Sequence, residues 1–180
     1  GLIFESIPPE EEARLTVAGC VPLLDPALAH ALLFDIGGGS TEVIWLTQVP
    51  DSGPRILATL SIPVGVMTVA ETYGTDVLRN PAAAEVTARI DEELAAFDRQ
   101  LGIGDAIAAG SVQMLGTSGT VTTLGGIHLG LGRYDRAKVD GLDVPFAAIE
   151  ELIRRLSALS VPDRADIPCV GWQRADLMVA

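Results

Sequence analysis

Three consecutive glycines constrain the fold of this chain more than any other feature. They lie within residues 35–42, Asp-Ile-Gly-Gly-Gly-Ser-Thr-Glu, after a short apolar run at 32–34 and before a β-branched and aromatic run at 43–45. The first run is too short for a helix, and the second contains residue types that strands favour. The pattern therefore predicts two strands joined by a tight glycine-rich loop.

The chemistry of this loop favours an anion. Glycines let a ligand approach the backbone closely, and successive N–H groups in such a loop form a concave nest for negative charge. Ser40 and Thr41 add hydroxyl donors. We therefore predict a phosphate cradle made of Gly37, Gly38, Gly39, Ser40 and Thr41.

Two carboxylates flank the loop and indicate a metal ion. Asp35 precedes the glycines and Glu42 follows them. Neither carboxylate can hold a phosphate directly, because like charges repel. Mg²⁺ binds through one or two carboxylates and keeps several of its waters. Asp35 and Glu42 are therefore predicted to bind Mg²⁺ beside the phosphate.

Two common phosphate loops are excluded. A Walker A loop needs a lysine after its last glycine, and a dinucleotide-binding loop needs a glycine at its sixth position, which is Glu42 here. An ordinary hairpin turn stays open as an alternative, although Asp, Ser and Glu together exceed what a turn requires.

The composition limits the partners and the compartment. The net charge of −12 argues against non-specific binding to nucleic acid or to an anionic membrane. No apolar run reaches the roughly 18 residues of a membrane span, and the start lacks the basic region of a signal peptide. Two cysteines without metal-binding spacing fit a reducing compartment. We expect a cytoplasmic globular protein of one or two domains.

Hydrophobic periodicity predicts the remaining elements. Acidic residues after Pro8 and Pro9 suit the first turn of a helix at 10–18. Apolar residues three and four apart predict amphipathic helices at 82–101 and 146–159. Further predictions are strands at 2–7 and 55–64, a short helix at 65–74, a loop or short turn at 104–110, a connector at 161–168 and a final helix at 170–180. The predicted fold class is α/β, with a mixed sheet that contains an antiparallel meander and has flanking helices.

A second loop rich in Gly, Ser and Thr follows a predicted strand at 112–115. Residues 116–120, Gly-Thr-Ser-Gly-Thr, open a predicted helix at 121–129. A helix N-terminus offers free N–H groups to a phosphate or a sugar, although Ser118 or Thr120 could equally be an N-cap. We expect the two loops to meet at one edge of the sheet.

Four segments, in the same order, resemble motifs of the exopolyphosphatase/guanosine pentaphosphate phosphohydrolase (Ppx/GppA) family. Residues 35–42 resemble its glycine signature, and residues 11–15, Glu-Glu-Ala-Arg-Leu, resemble the acidic motif that precedes it. Residues 116–120 resemble its Gly-x-Ser-Gly-Thr loop. Arg164 and residues 174–176, Arg-Ala-Asp, resemble the region near the end of its second, actin-like domain.

The resemblance implies an actin-like, ribonuclease-H-like fold and a Mg²⁺-dependent hydrolysis of the terminal phosphoanhydride of polyphosphate or of pppGpp. By position, Glu12 matches the catalytic base that activates water. Asp35 and Glu42 match the metal-linked carboxylates. The glycine loop matches the first phosphate loop, and a second loop that closes the site is matched by Ser118, Gly119 and Thr120.

Members of this family also carry an earlier lobe with its own phosphate loop, and no such segment occurs here. The resemblance therefore implies that residues 1–180 are the second half of the phosphatase domain, that the first lobe is a partner, and that this half alone is inactive. Gly1 does not resemble a native start, so we expect the sequence to be cut from a longer chain. Two alternatives stay open, an ATP-binding kinase-type relative and a non-catalytic actin-like domain, and so does a homodimer.

Overall fold

The computed structural model describes residues 7–49, 52–75, 77 and 81–178. The strand predicted at 2–7 lies almost wholly outside the described residues. A three-residue 3-10 helix, Val21–Leu23, follows the first α-helix. The helices are α1 Pro9–Cys20, α2 Val66–Tyr73, α3 Ala82–Leu101, α4 Ile103–Ala108, α5 Ser118–His128, α6 Arg136–Val139, α7 Phe146–Ala158 and α8 Val161–Ala165. The strands are β1 His30–Ile36, β2 Thr41–Val49, β3 Gly53–Ile62 and β4 Val112–Thr117.

One four-stranded sheet has the order β3-β2-β1-β4. Strands β1, β2 and β3 form the predicted antiparallel meander, whereas β4 pairs with β1 in parallel. The predicted mixed sheet is therefore confirmed. Asp35, near the end of β1, lies opposite Thr117, the last residue of β4. Because β1 and β4 run in the same direction, the loops that follow them leave the same edge of the sheet.

The helix α1 covers one face of the sheet. Its buried residues Ala13, Val17 and Cys20 recur at three- and four-residue intervals, as one face of a helix requires. They pack against alternate residues of the two central strands, namely Ala31, Leu33, Ile44 and Leu46. Asp35 continues the alternation of Ala31 and Leu33, so it lies on the same face of the sheet as α1.

A second core forms between the helices of the C-terminal half and contains Leu152, Leu156 and Ala175. Arg164 is fully buried beside it. The guanidinium of Arg164 donates to carbonyl oxygens of separate segments at 3.1–3.3 Å, namely those of Thr75, Leu156, Leu159 and Ala175. A buried charge needs such hydrogen bonds, so Arg164 ties the C-terminal turns to the rest of the domain.

The prediction of a final helix at 170–180 is wrong for the described residues 170–178, which form successive turns. Gly171 has a left-handed φ of +66°, a conformation that a right-handed helix does not contain. The carbonyl of Ala175 accepts from Arg164. Tertiary contacts therefore override the apolar pattern of this segment.

Two other predictions are wrong because short helices replace expected loops. The segment predicted as a loop or short turn at 104–110 contains most of the six-residue helix α4, in which Ile103 is buried and the N–H of Gly104 donates to Asp98 at 2.6 Å. The predicted connector at 161–168 contains α8, which a capping box between Ser160 and Asp163 begins. The Ser-x-x-Asp spacing was present in the sequence as a sign of this helix.

The longer helices agree with the sequence pattern. The predicted helices at 65–74, 82–101 and 146–159 correspond to α2, α3 and α7, and the acidic helix start corresponds to α1. The helix α5 begins three residues earlier than predicted, at Ser118. Within the described part of the chain, no helix is long and apolar enough to cross a membrane.

Candidate active site

The glycine loop is a closed hairpin turn. The N–H of Gly37 donates to the carbonyl of Ser40 at 2.9 Å, immediately beyond the pairing of Ile36 with Thr41. Among the described residues, no turn, loop or helix cap contains a backbone hydrogen bond that is donated by the N–H of Gly38 or of Gly39. The turn therefore keeps two neighbouring donors available.

The N-terminus of α2 holds this turn from one side. Its amides Val66, Met67 and Thr68 donate to the carbonyls of Gly37 and Gly38 at 2.9–3.2 Å. The carbonyl and the N–H of one trans peptide point in opposite directions. With both carbonyls directed at α2, the N–H groups of Gly38 and Gly39 point away from that helix.

Gly65 makes this close approach of α2 feasible. A Cβ built at Gly65 would lie 2.6 Å from the carbonyl carbon and oxygen of Gly38 and 2.7 Å from the carbonyl oxygen of Gly37. Real Cβ contacts are not this short, and backbone atoms cannot move aside as a flexible side chain can. The glycine at position 65 is therefore part of the loop's architecture.

The two predicted metal ligands face each other across the β1–β2 pair. Asp35 and Glu42 are direct partners in the antiparallel register. Glu42 accepts hydrogen bonds from Ser40 at 2.5 Å and from Ser61 at 3.2 Å. The pKa of the Asp35 carboxyl is raised overall. Burial is the main cause and the charge of Glu42 adds to it, whereas the adjacent Thr117 hydroxyl lowers the pKa.

A hydrated Mg²⁺ fits this carboxylate pair. Like charges directly opposite each other on a sheet are unfavourable, and a cation between them would relieve the repulsion. No group of three or more His, Cys, Asp or Glu that could hold a metal occurs among the residues that the structure describes. Two carboxylates with waters in the other positions are a coordination that suits Mg²⁺ better than zinc.

The second loop contains a strained residue, and its buried Thr117 and Ser118 hydroxyls have no hydrogen-bond partner in the described structure. Ser118 has a φ of +81°, the only left-handed value of a non-glycine residue in the described chain. Thr122 and Thr123 hold the loop by donating to the carbonyls of Ser118 and Gly119 at 2.8 and 2.6 Å. Such strain persists only where the surrounding structure enforces it, and it concentrates at functional sites.

The two loops meet at a cavity of about 340 Å³. Gly37 and Gly38 line it from the first loop, and Ser118, Gly119 and Thr120 line it from the second. The predicted convergence of the two loops at one sheet edge is therefore confirmed. Its cause is the parallel pairing of β1 with β4.

Arg174 also lines the cavity, although it is not among the site residues predicted from the sequence. A Cβ built at Gly119 would lie 2.8 Å from Cζ of Arg174, so the guanidinium rests directly on the second loop. Its Nη1 donates to Thr123 at 3.2 Å. Among the described residues that line the cavity, Arg174 is the only charged one. No spacing rule connects residue 174 to either loop, so only the fold reveals this contact.

Other predicted site residues have different surroundings. The Thr41 hydroxyl donates to the carbonyl of Val64 at 2.8 Å and so supports the loop. A Cβ built at Gly39 would meet nothing within 4 Å.

Glu12 is exposed in the first turn of α1 and makes no hydrogen bond to the glycine loop within the described structure. Its assignment as the catalytic base stays a prediction.

Glu11, the neighbour of Glu12, is engaged locally. Arg14 donates to both of its carboxylate oxygens, at 2.8 and 2.6 Å. The hydrogen bond from Arg14 holds the pKa of Glu11 below its ordinary value. Of these two adjacent acids, Glu12 is therefore the one free to act as a base.

Comparison with known proteins identifies the family. The model of the Ppx/GppA phosphatase family matches residues 1–180, the whole chain. The chain belongs to this phosphatase family. Exopolyphosphatase 2 of Mycobacterium tuberculosis, in strains H37Rv and CDC 1551, is 27% identical over 183 residues, which cover 99% of this chain and 53% of the relative.

Solved structures of Ppx/GppA proteins share the fold. A crystal structure of an exopolyphosphatase-like protein matches with a TM-score of 0.74 and 25% identity, over 97% of this chain and 53% of that one. The PPX-GPPA enzyme of Aquifex aeolicus matches with a TM-score of 0.72 and 22% identity, over 99% of this chain and 55% of that one. The predicted actin-like fold is confirmed. The chain spans about half the length of these relatives.

Proposed function

We propose that this Ppx/GppA protein removes the terminal phosphate of inorganic polyphosphate, of pppGpp, or of both. One observation carries the proposal. Two Gly/Ser/Thr loops and the guanidinium of Arg174 surround a single cavity, and a pair of opposed carboxylates lies at the same sheet edge. The name of the mycobacterial relative, exopolyphosphatase, supports polyphosphate as a substrate.

The phosphate-binding groups of the proposal come from both loops. The free amides of Gly38 and Gly39 donate from the first loop, and residues 118–120 donate from the second. Arg174 adds a positive charge, which a protein of net charge −12 needs locally in order to bind a polyanion. Ser40 and Thr41 serve the loop's own structure, because their hydroxyls donate to Glu42 and Val64.

Asp35 and Glu42 would hold Mg²⁺ in this proposal. The bound cation supplies charge neutralisation at phosphate oxygens. Ser40 and Ser61 keep Glu42 oriented. Partial burial of Asp35, on the face of the sheet that α1 covers, reduces the competition of bulk water for the carboxylate.

Two further contributions complete the proposed site, namely a general base and a second lobe. Glu12 would accept the proton of the attacking water, provided that the water lies within hydrogen-bond reach of its carboxylate. The half of the relatives that this chain does not span would form the opposite lobe. We also propose a cytoplasmic location, which the free thiols of Cys20 and Cys169 support.

The test is phosphate release by the intact native protein from polyphosphate and from pppGpp, with Mg²⁺ or with EDTA. We expect Mg²⁺-dependent release from at least one substrate. Arg174→Gln should lower kcat/KM about 10-fold or more, since a hydrogen bond to a charged group is worth about 1.5–3 kcal/mol. Arg136→Gln is the matched control, because Arg136 forms an exposed ion pair with Asp140.

Absence of phosphate release from both substrates would overturn the proposal. Protection by ATP in that case would favour the kinase-type alternative. An Arg174→Gln variant as active as the Arg136→Gln control would remove Arg174 from the site and leave the rest of the proposal standing.

A further inference from the structure

Two hydroxyl groups at the junction of β4 and α5 are buried without a partner. The Oγ1 of Thr117 and the Oγ of Ser118 are inaccessible to solvent, and neither has a hydrogen-bond partner in the described structure. By contrast, the hydroxyls of Thr122 and Thr123 in the same segment donate to loop carbonyls. A buried hydroxyl without a partner is unfavourable and calls for an explanation.

The position of Thr117 supplies that explanation. Thr117 lies opposite Asp35 in the parallel pairing of β1 with β4. Its hydroxyl is close enough to lower the pKa of the Asp35 carboxyl, although the two groups form no well-aligned hydrogen bond. On its other side Asp35 faces Glu42. The unpartnered hydroxyl therefore adjoins the proposed cation site.

We propose that Thr117 is a positioning residue of this site, whose hydroxyl donates to the Asp35 carboxylate and orients it when the cation is bound. A hydroxyl carries one donor, and the Asp35 carboxylate is the acceptor that the strand register places opposite it. The inference rests on the proposed function, because that proposal assigns the cation to Asp35 and Glu42.

Thr117 is suited to this task by its backbone. It is the last residue of β4, before the strained Ser118 that begins α5. The strand fixes the Cα of Thr117 relative to Asp35, and a β-branched side chain has few rotamers. Groups that orient a metal's ligands in this way commonly change metal affinity when they are removed.

The test compares Thr117→Val and Thr117→Ser in the intact protein. The probe is Mn²⁺, whose free-ion electron paramagnetic resonance signal reports binding. Thr117→Val should weaken Mn²⁺ binding about 10-fold, whereas Thr117→Ser, which keeps the hydroxyl but not the β-branch, should weaken it much less. In EDTA, the unfolding temperature of Thr117→Val should be unchanged or higher, because the variant removes an unsatisfied buried hydroxyl.

The control is Thr123→Val, which removes a hydroxyl with a 2.6 Å hydrogen bond and should lower the unfolding temperature in EDTA. Thr117→Val overturns the inference if it binds Mn²⁺ as the wild type does. It also overturns the inference if it unfolds as early as Thr123→Val, because the hydroxyl would then be structural. Asp35→Asn separates the two proposals, since unaltered Mn²⁺ binding in that variant would refute the cation site itself.

Discussion

The guanidinium of Arg174 lies against the Cα of Gly119, so the C-terminal turns and the second loop are in direct contact at the cavity. A methyl group at position 119 would lie 2.8 Å from both Cζ and Nη2 of Arg174. The end of a flexible side chain can move aside, so the loop should keep its shape and the cation should move. The positive charge can lie at the cavity because residue 119 has no side chain that would displace the guanidinium of Arg174.

Gly119→Ala should consequently reduce activity with little loss of stability. In the proposed function Arg174 makes a charge-assisted hydrogen bond to substrate, so its displacement should lower kcat/KM about 10- to 100-fold. Steady-state kinetics and thermal unfolding of the intact protein provide the measurement. Gly19→Ala is the control, because a Cβ there meets nothing within 4 Å. Equal kinetics in the two variants would contradict the prediction.

Gly65→Ala should disturb the first loop through its backbone. The new Cβ would press on the carbonyls of Gly37 and Gly38, which are fixed by hydrogen bonds to α2. We expect a loss of about 1–3 kcal/mol in the free energy of unfolding, as for other overpacked sites, together with a rise in KM. Urea denaturation measures the first quantity. Gly132→Ala, at an unobstructed position, should remain within about 0.5 kcal/mol of the wild type.

Removal of the cation should reveal repulsion between Asp35 and Glu42. In EDTA at neutral pH, Asp35→Asn should raise the free energy of unfolding by up to about 1 kcal/mol, because a like-charge pair across the two strands is removed. Added Mg²⁺ should raise the unfolding temperature of the wild type but not of Asp35→Asn. Asp91→Asn, on the exposed surface of α3, should respond to Mg²⁺ as the wild type does. A variant less stable than the wild type in EDTA would argue against the repulsion.

Arg164→Met should destabilise the domain strongly. The substitution leaves the buried carbonyl of Ala175 and the partly buried carbonyl of Leu159 without the donor that Arg164 supplies. We expect a loss of about 3 kcal/mol or more, since each unsatisfied buried group costs about 1–3 kcal/mol. Arg136→Met removes an exposed ion pair and should cost less than about 1 kcal/mol. Similar urea midpoints for the two variants would refute the structural role of Arg164.

Glu12→Gln tests the predicted catalytic base. A general base contributes about 10²- to 10⁴-fold to the rate, so kcat of the intact protein should fall within that range while KM changes little. Glu11→Gln is a matched control one residue away, because Glu11 is engaged with Arg14 on the surface. If the two variants have equal kcat, the base lies elsewhere.

The local pattern of the sequence was sufficient for the elements around the first loop. The apolar runs on either side of the glycines became β1 and β2, and the three- and four-residue spacing of apolar residues became α3 and α7. These elements follow from interactions between residues near one another in the chain. The meeting of the two loops was also predictable, because a strand precedes each of them.

The contribution of the C-terminal segment could not be read from the sequence. Its apolar spacing suggests a helix, whereas Gly171 and the hydrogen bond from Arg164 to Ala175 impose turns. These turns bring Arg174 onto Gly119. The contacts of Arg174 with Gly119 and Thr123 join residues more than fifty positions apart, and no propensity or local spacing encodes them. The relation of Glu12 to the loop depends equally on distant packing.

The anchoring of the glycine turn to α2 has a consequence for how a ligand would be received. With the carbonyls of Gly37 and Gly38 already bonded to the helix, the turn is organised before any phosphate arrives, and little conformational freedom remains to be lost on binding. Anion affinity should then be sensitive to the length of the link between β3 and α2. An extra residue inserted there would loosen the turn without altering a single group that touches the phosphate.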